Sequence, residues 1–387
     1  MTEKEAARAR LRRSEKNLID LSHRIHAHPE LGFEEEKACA WLCDELDGAG
    51  FKVTRGAGGM ETAFVAQAGS GPLHVAICAE YDALPGIGHA CGHNLIAAMS
   101  LGAGLAAASV ADDVGLTVSV IGTPAEEVGN DSGKIRLLEA GAFQGVHVAM
   151  MAHPAPIEVV EMGIIAASMF EVHYTGKEAH ASAFPEQGIN AADAMVIAQT
   201  AIGLLRQQLR PTDRVHGIVT HGGDAPNVIP AHTSARYIVR GQTLTDLEQV
   251  REKVQRCFHA GALATGASLE IRGGNKPYAD MHFDHELGAC YRRNAEAAGR
   301  KFTPLPPGAD RMAASTDMGN VSHLIPSIHP MIGLDSLPAA NHQPEFTAHC
   351  ATPIADRAVV EGALALAWTA LDCAAEPALR QRLLAAR

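Results

Sequence analysis

Strand-length apolar runs that end in ionisable residues constrain this chain most. The runs 62–68, 73–79, 116–122 and 147–151 have the length and β-branched content of buried strands. Helical stretches near 94–108 and 132–140 lie between them. Strands alternating with helices predict an α/β fold with an open, mostly parallel sheet flanked by helices. Such sheets carry their sites just beyond the C-terminal ends of the strands. Glu80, Asp82, Glu126, Glu127 and His153 all follow one of these runs. Core packing alone gives no reason for that placement, so it points to a functional site.

The pattern changes along the chain. Residues 14–49 read as helix, interrupted around His28-Pro29-Glu30-Leu31-Gly32. From about residue 166 the order becomes strand (169–174), helix (191–208), two strands (215–220 and 235–240), helix (244–259) and strand (268–272). That order is the signature of a small inserted α+β domain. The expected organisation is a first domain of 1–165 and 277–387, closed by a helix near 355–373, with an insert at 166–276.

The chemistry-bearing residues cluster around His89-Ala90-Cys91-Gly92-His93. A thiolate and imidazoles are ligands for zinc-like and manganese-like cations, and a thiolate can bridge two of them. Glu127 and His153 would add ligands from other strand ends, and His342 could return from the far end of the chain. Five such residues suit a two-metal centre that lowers the pKa of a shared water. The adjacent Glu126 is then the natural general base, and Asp82 could orient a ligand from behind. Taken singly, a lone Cys is usually core, a Glu pair is usually solvated and an isolated His is usually structural. The inference rests on several of them lying at strand ends in a consistent order. A cysteine nucleophile is the rival chemistry, but a thiol–imidazole pair normally comes from separate elements, and the later Glu pair favours metal.

Bulk properties narrow the classes further. The net charge of -12, from 44 acidic and 32 basic residues, argues against a nucleic-acid binder. The eight cysteines form no CxxC pair and read mostly as buried thiols of a reducing compartment, which suggests a cytoplasmic protein. The charged segment 1–13 is unlike a secretory signal, and the low-polarity run 95–111 is too short and too rich in Ala, Gly and Ser for a membrane span. Only 4% of residues are aromatic while Ala and Gly abound, which favours helices packed closely on a sheet.

At these residues the chain resembles the dinuclear metallopeptidases and amidohydrolases that include aminoacylase, glutamate carboxypeptidase and hippurate hydrolase. The resemblance is nearest to the branch of indole-acetyl-amino-acid hydrolases, p-aminobenzoyl-glutamate hydrolase and β-alanyl dipeptidase-like proteins. It is carried by His26-Ala-His-Pro-Glu-Leu31, Glu80-Tyr-Asp-Ala-Leu-Pro85, His89-Ala-Cys-Gly-His93, Thr123-Pro-Ala-Glu-Glu127, the stretch 176–181, Asn227-Val-Ile-Pro230 and Ser315-Thr-Asp-Met-Gly319. It implies a zinc-peptidase-like catalytic domain and an inserted ferredoxin-like domain that serves as a lid and a dimerisation surface.

It also implies two divalent ions, Mn2+ or Zn2+, on Cys91, His93, Glu127, His153 and His342, with Cys91 bridging, Glu126 as general base and Asp82 supporting a ligand. His180, Asn227 and Arg240 match lid positions that contact the substrate carbonyl or carboxylate, often across a homodimer. There are departures. Glu80 stands where many relatives carry a metal-binding His, and Asp193 where many carry a His. The expected activity is hydrolysis of the amide bond of N-acyl or N-aminoacyl amino acids that have a free carboxylate. A dipeptidase of the β-alanyl type, or a non-catalytic subunit of a hetero-oligomeric hydrolase, is the alternative.

Overall fold

The computed structural model describes residues 1–304 and 313–386. Two compact units emerge. One comprises Met1–Val128, Ser132–Gly163 and Met281–Arg387; the other comprises Gly129–Asp131 and Ile164–Asp280.

In the larger unit, a six-stranded sheet runs in the order Lys52–Arg55, Phe64–Ala68, Leu116–Gly122, Leu73–Ala79, Val148–Met150, Ser327–Ile328. The four strands from Leu116–Gly122 onward pair parallel. The first two pair antiparallel and form one edge, so the sheet is mostly parallel, as the sequence predicts, with an antiparallel margin. Lys52–Arg55 carries too few apolar side chains to announce a strand, and it is exposed along most of its length.

The helix His93–Ala108 is buried through Ala107, which explains its Ala- and Gly-rich composition. A Cβ on Gly104 would lie 2.3 Å from Val120, and one on Gly362 of the helix Pro353–Ala375 would lie 2.4 Å from Met99 Sδ. Small residues therefore set the spacing, and each fully buried Leu, Ile or Met between them contributes about 1.5–3 kcal/mol. Pro353–Ala375 has the length and apolarity of a membrane-crossing helix, but most of its apolar stretch is buried in this layer. All eight cysteines are buried free thiols.

The N-terminal helix begins earlier than expected, spanning Glu3–Ala27. A capping box between Thr2 and Glu5 starts it, and Ala7 and Leu11 are buried along it. The break expected near His28 is present, and the chain resumes as helix Glu36–Gly48.

The smaller unit is a four-stranded antiparallel sheet ordered Ser268–Gly273, Ala166–Thr175, His232–Gly241, Arg214–His221. Its helices Ala191–Leu205 and Leu244–Thr265 build one core with the sheet, around Phe170, Val172, Tyr174, Tyr237, Val250 and Phe258. Along Ala166–Thr175 the burial alternates from Ser168 on, as a sheet covered on one face requires. Gly129–Asp131 joins this unit through Gly129 N–H on Tyr278 Oη (3.0 Å) and the Lys276–Asp131 ion pair (2.8 Å).

Candidate metal centre

The parallel strands of the larger unit end in the residues that the sequence marks. Leu73–Ala79 runs into Glu80 and Asp82, Leu116–Gly122 into Glu126 and Glu127, and Val148–Met150 into His153. Cys91 and His93 flank Gly92, whose left-handed φ of +75° turns the chain into the buried helix. Glycine suits this point twice over, because a Cβ here would also lie 2.8 Å from Pro154. His342 arrives from the distant C-terminal part of the chain. Its N–H donates to Ala90 O (2.9 Å), which ties it beside Cys91.

Six of these residues converge: Cys91, His93, Glu126, Glu127, His153 and His342. Potential ligand atoms of Cys91, His93 and His153 lie within 4.8 Å of one another, as do those of Cys91, Glu127 and His342 and those of His93, Glu126 and Glu127. Cys91, His93 and Glu127 each belong to two of these triads. Asp82 joins two sides of the cluster: its Oδ1 lies 3.0 Å from His93 Nδ1, and its Oδ2 accepts Glu127 N–H at 2.9 Å. With Nδ1 engaged, His93 turns Nε2 inward, 3.5 Å from Glu80 Oε2 and 3.9 Å from Glu127 Oε1. His153 Nδ1 likewise engages Pro154 O (2.8 Å) and leaves Nε2 available. His342 Nε2 lies 3.7 Å from Glu127 Oε2.

Burial sets the electrostatics. It pushes the Glu126 carboxyl well above the usual carboxylate range, helped by the charges of Glu80 and Glu127. It pushes the Cys91 thiol up, with Glu127 adding to the effect. It opposes charge on His93 too, but Asp82, Glu80 and Glu127 outweigh it and hold that imidazole well above its ordinary value. His153, burdened by burial and by its neighbour His329, is brought down to about 3.

Three residues behind the cluster escaped sequence reasoning. Lys134 is fully buried, and its Nζ lies 2.5 Å from both Glu80 Oε1 and Asp317 Oδ1. Ser132 Oγ donates to Asp317 Oδ2 at 2.7 Å. Burial raises the Glu80 carboxyl, but Lys134 prevails and brings it to about 2. His329 is buried, with its ring 5.5 Å from that of His153.

The cluster fits divalent cations. Glu80 Oε2, His93 Nε2 and Glu127 Oε1 are buried and have no hydrogen-bond partner among the described residues. Proteins rarely leave such atoms without one, and cations held among them would satisfy them. One thiolate with imidazoles and carboxylates is a donor set suited to divalent metal ions.

The remaining candidates lie in the smaller unit. His180 and Asn227 adjoin on exposed loops, joined by the Ala181 N–H to Asn227 O bond (3.0 Å) and a bridge from His180 to Val228. Arg240 lies far from them, at the other end of the strand His232–Gly241. At about 3.3 Å per residue, roughly 26 Å of strand separates Arg240 from His232.

Comparison with known proteins agrees with this architecture. Residues 166–265 match the peptidase dimerisation domain. The chain is 39% identical over 393 residues to a Xaa-Arg dipeptidase of Mus musculus, covering 97% of this chain and 90% of the mouse protein. It is 32% identical to one of the subunits of the p-aminobenzoyl-glutamate hydrolase of Escherichia coli, over 65% of this chain and 56% of that one. A Bacillus subtilis structure described as a dinuclear metal binding peptidase of the M20 family superposes with a TM-score of 0.66 at 22% identity, covering 91% of this chain and 98% of that one. Fold, buried ligand cluster and relatives together define a metal-dependent hydrolase of peptide and amide bonds. The chain belongs to the M20 peptidase family, whose members work with divalent metals.

Proposed function

We propose that this protein is a dipeptidase-like amidohydrolase whose substrates end in an amino acid with a free carboxylate. The overlap of the triads through Cys91, His93 and Glu127 carries this reading, because overlapping ligand sets suit two adjacent cations, with Cys91 available to both. His93 and His153 would complete one side, and Glu127 and His342 the other. When bound, the ions, manganese or zinc, would polarise the scissile carbonyl and acidify a water.

The protein's own groups do the rest. Glu126 takes the proton of the attacking water and delivers it to the departing amine nitrogen. Burial and its carboxylate neighbours raise its proton affinity, which suits a group that must hold a proton between two steps. Asp82 fixes the His93 ring and, through the Glu127 N–H, the carboxylate opposite. His180 and Asn227 steady the developing oxyanion, and the Arg240 guanidinium grips the substrate carboxylate as a fork.

The length of strand between Arg240 and the His180–Asn227 pair supports dividing these roles across a homodimer, since one small substrate cannot span it. The smaller unit has surface suited to pairing: Ile218 (66% exposed) and Val219 (45%) on the edge strand Arg214–His221, and Leu204 (73%) on the helix that precedes it. The mouse relative's name favours dipeptides ending in Arg as the first substrates to try. The E. coli relative keeps p-aminobenzoyl-glutamate as a second class.

The test is a panel of Xaa-Arg and β-alanyl dipeptides, N-acyl amino acids and p-aminobenzoyl-glutamate. Chelated protein would be reloaded with manganese, zinc or cobalt, and amine release read by mass spectrometry. Metal-dependent cleavage of dipeptides ending in Arg is the expected result. Cleavage confined to aroyl or acyl conjugates would replace the dipeptidase reading with the second class.

A further inference from the structure

Glu35 is fully buried, although it follows Glu34 in an acidic run that also includes Glu36. It occupies the residue before the helix Glu36–Gly48, yet its side chain makes no capping bond there. That task falls to Glu30, whose carboxylate accepts the N–H groups of Lys37 and Ala38 at 3.0 Å. The Glu35 carboxylate instead reaches across 90 residues of sequence, and its Oε1 accepts Ala125 N–H at 2.7 Å. Ala125 is buried, directly precedes Glu126 and has φ +59°. The left-handed conformation costs a non-glycine residue about 1–2 kcal/mol, so something must hold it there.

We propose that Glu35 is a positioning residue for the reaction: it clamps Ala125 in its left-handed conformation and so aims Glu126 and Glu127. The turn is fastened at three points. Gly133 N–H holds Pro124 O (3.1 Å), Glu35 holds Ala125 N–H and Asp82 holds Glu127 N–H. Glu35 therefore does on one side of Glu126 what Asp82 does on the other. The chain around it is fitted to the turn, since a Cβ on Gly32 would lie 3.0 Å from Ala125 Cα and 2.8 Å from Val128. The break between the first two helices is thus the stretch that carries this clamp to the active site.

The inference rests on Glu126 being the proton carrier, and one readout is independent of that. Four variants are compared with the parent, Glu35→Gln, Glu35→Ala, Glu35→Asp and the double variant Glu35→Ala/Ala125→Gly. Each is assayed for kcat and KM on alanyl-arginine and p-aminobenzoyl-glutamate, for bound zinc per chain, and for amide hydrogen exchange over residues 124–128. Gln keeps an acceptor oxygen, so E35Q should stay near the parent in all of these. E35A should lose about 10- to 100-fold in kcat, the scale expected when a catalytic group is slightly misplaced. Its KM and zinc content should hold, and exchange over 124–128 should quicken. Ala125→Gly should recover part of that loss, because glycine adopts the left-handed region without the steric penalty.

Parent-like kcat and exchange in E35A would overturn the proposal, as would a loss that Ala125→Gly does not reduce. If E35A does not fold, Asp decides the matter, because it keeps the carboxyl group but withdraws the acceptor by one methylene. The clamp requires E35D to fall further than E35Q, and the reverse order overturns it. An active Glu126→Gln enzyme would remove the base assignment while leaving the exchange result to judge the clamp alone.

Discussion

The two units hold their polar residues in opposite ways. In the larger unit Glu80, Asp82, His93, Lys134 and Asp317 are all buried, and each is braced by another of the group. In the smaller unit His180 and Asn227 are exposed, and the His180 side chain makes long contacts to Ser182 and Ala183 (3.2–3.3 Å). Groups that act on the reacting bond gain from a site organised in advance, with little reorganisation left for the reaction itself. Groups proposed to meet the substrate only once it is bound gain nothing from burial before it arrives. Mutations of the bracing groups should therefore cost stability in the larger unit, while mutations of the exposed groups should cost rate alone in the smaller one.

The largest separation should come at Glu126. Glu126→Gln is nearly isosteric and should fold and load metal like the parent, yet lose about 10²–10⁴-fold in kcat, the range of a positioned acid–base group. Single-turnover kinetics beside a metal assay would check this, and turnover within a few-fold of the parent would end the assignment. Lys134→Met tests the bracing itself. Removing the ammonium leaves the buried Glu80 and Asp317 facing each other without it, and breaking a buried pair costs about 3–5 kcal/mol. Urea denaturation should show that loss, and a loss below about 1 kcal/mol would mean that the triad adds little to the fold. In the smaller unit, His180→Ala should lower kcat by about 10²–10³ if its ring meets the oxyanion, with stability unchanged within about 0.5 kcal/mol. A stability loss as large as that of Lys134→Met would erase the contrast between the units.

What the sequence revealed follows the same division. Strand ends display their ionisable groups immediately after an apolar run, so Glu80, Asp82, Glu126, Glu127 and His153 were legible from local pattern. Their convergence with Cys91, His93 and His342 could be expected only through chemistry and resemblance, because His342 is a distant loop residue. Lys134 was not legible at all. On a short helix it reads as a solvated cation, and only Asp317, 183 positions away, and Glu80 make it a buried one. Glu35 was hidden similarly, one acid among Glu34, Glu35 and Glu36. The smaller-unit residues proposed to meet the substrate had no local signal beyond the family motifs, since exposed His and Asn are common on any loop.

A further effect concerns Glu35 and pH. Burial, with the charge of Asp82 next in weight, raises its carboxyl to about 7 from an ordinary 4.5. Tyr81 and Cys39 are its other titratable neighbours, and both are held in their neutral forms. Between pH 4.5 and 7 the unfolded chain therefore releases this proton while the folded protein keeps it. With fewer protons bound in the unfolded state, stability falls as pH rises through that window. The contribution of Glu35 is complete below pH 4.5 and lost above 7. Glu35→Gln removes this one titration while leaving the others in place. The difference in Tm between variant and parent should thus move in the variant's favour from pH 4.5 to 7 and then level off. Metal-free protein is the sample to use, so that ligand binding does not add its own pH dependence. A difference that stays flat would mean that Glu35 is already ionised across the window. Its hold on Ala125 would then be a charged hydrogen bond, and Glu35→Gln should weaken the clamp that the kinetic comparison expects it to preserve.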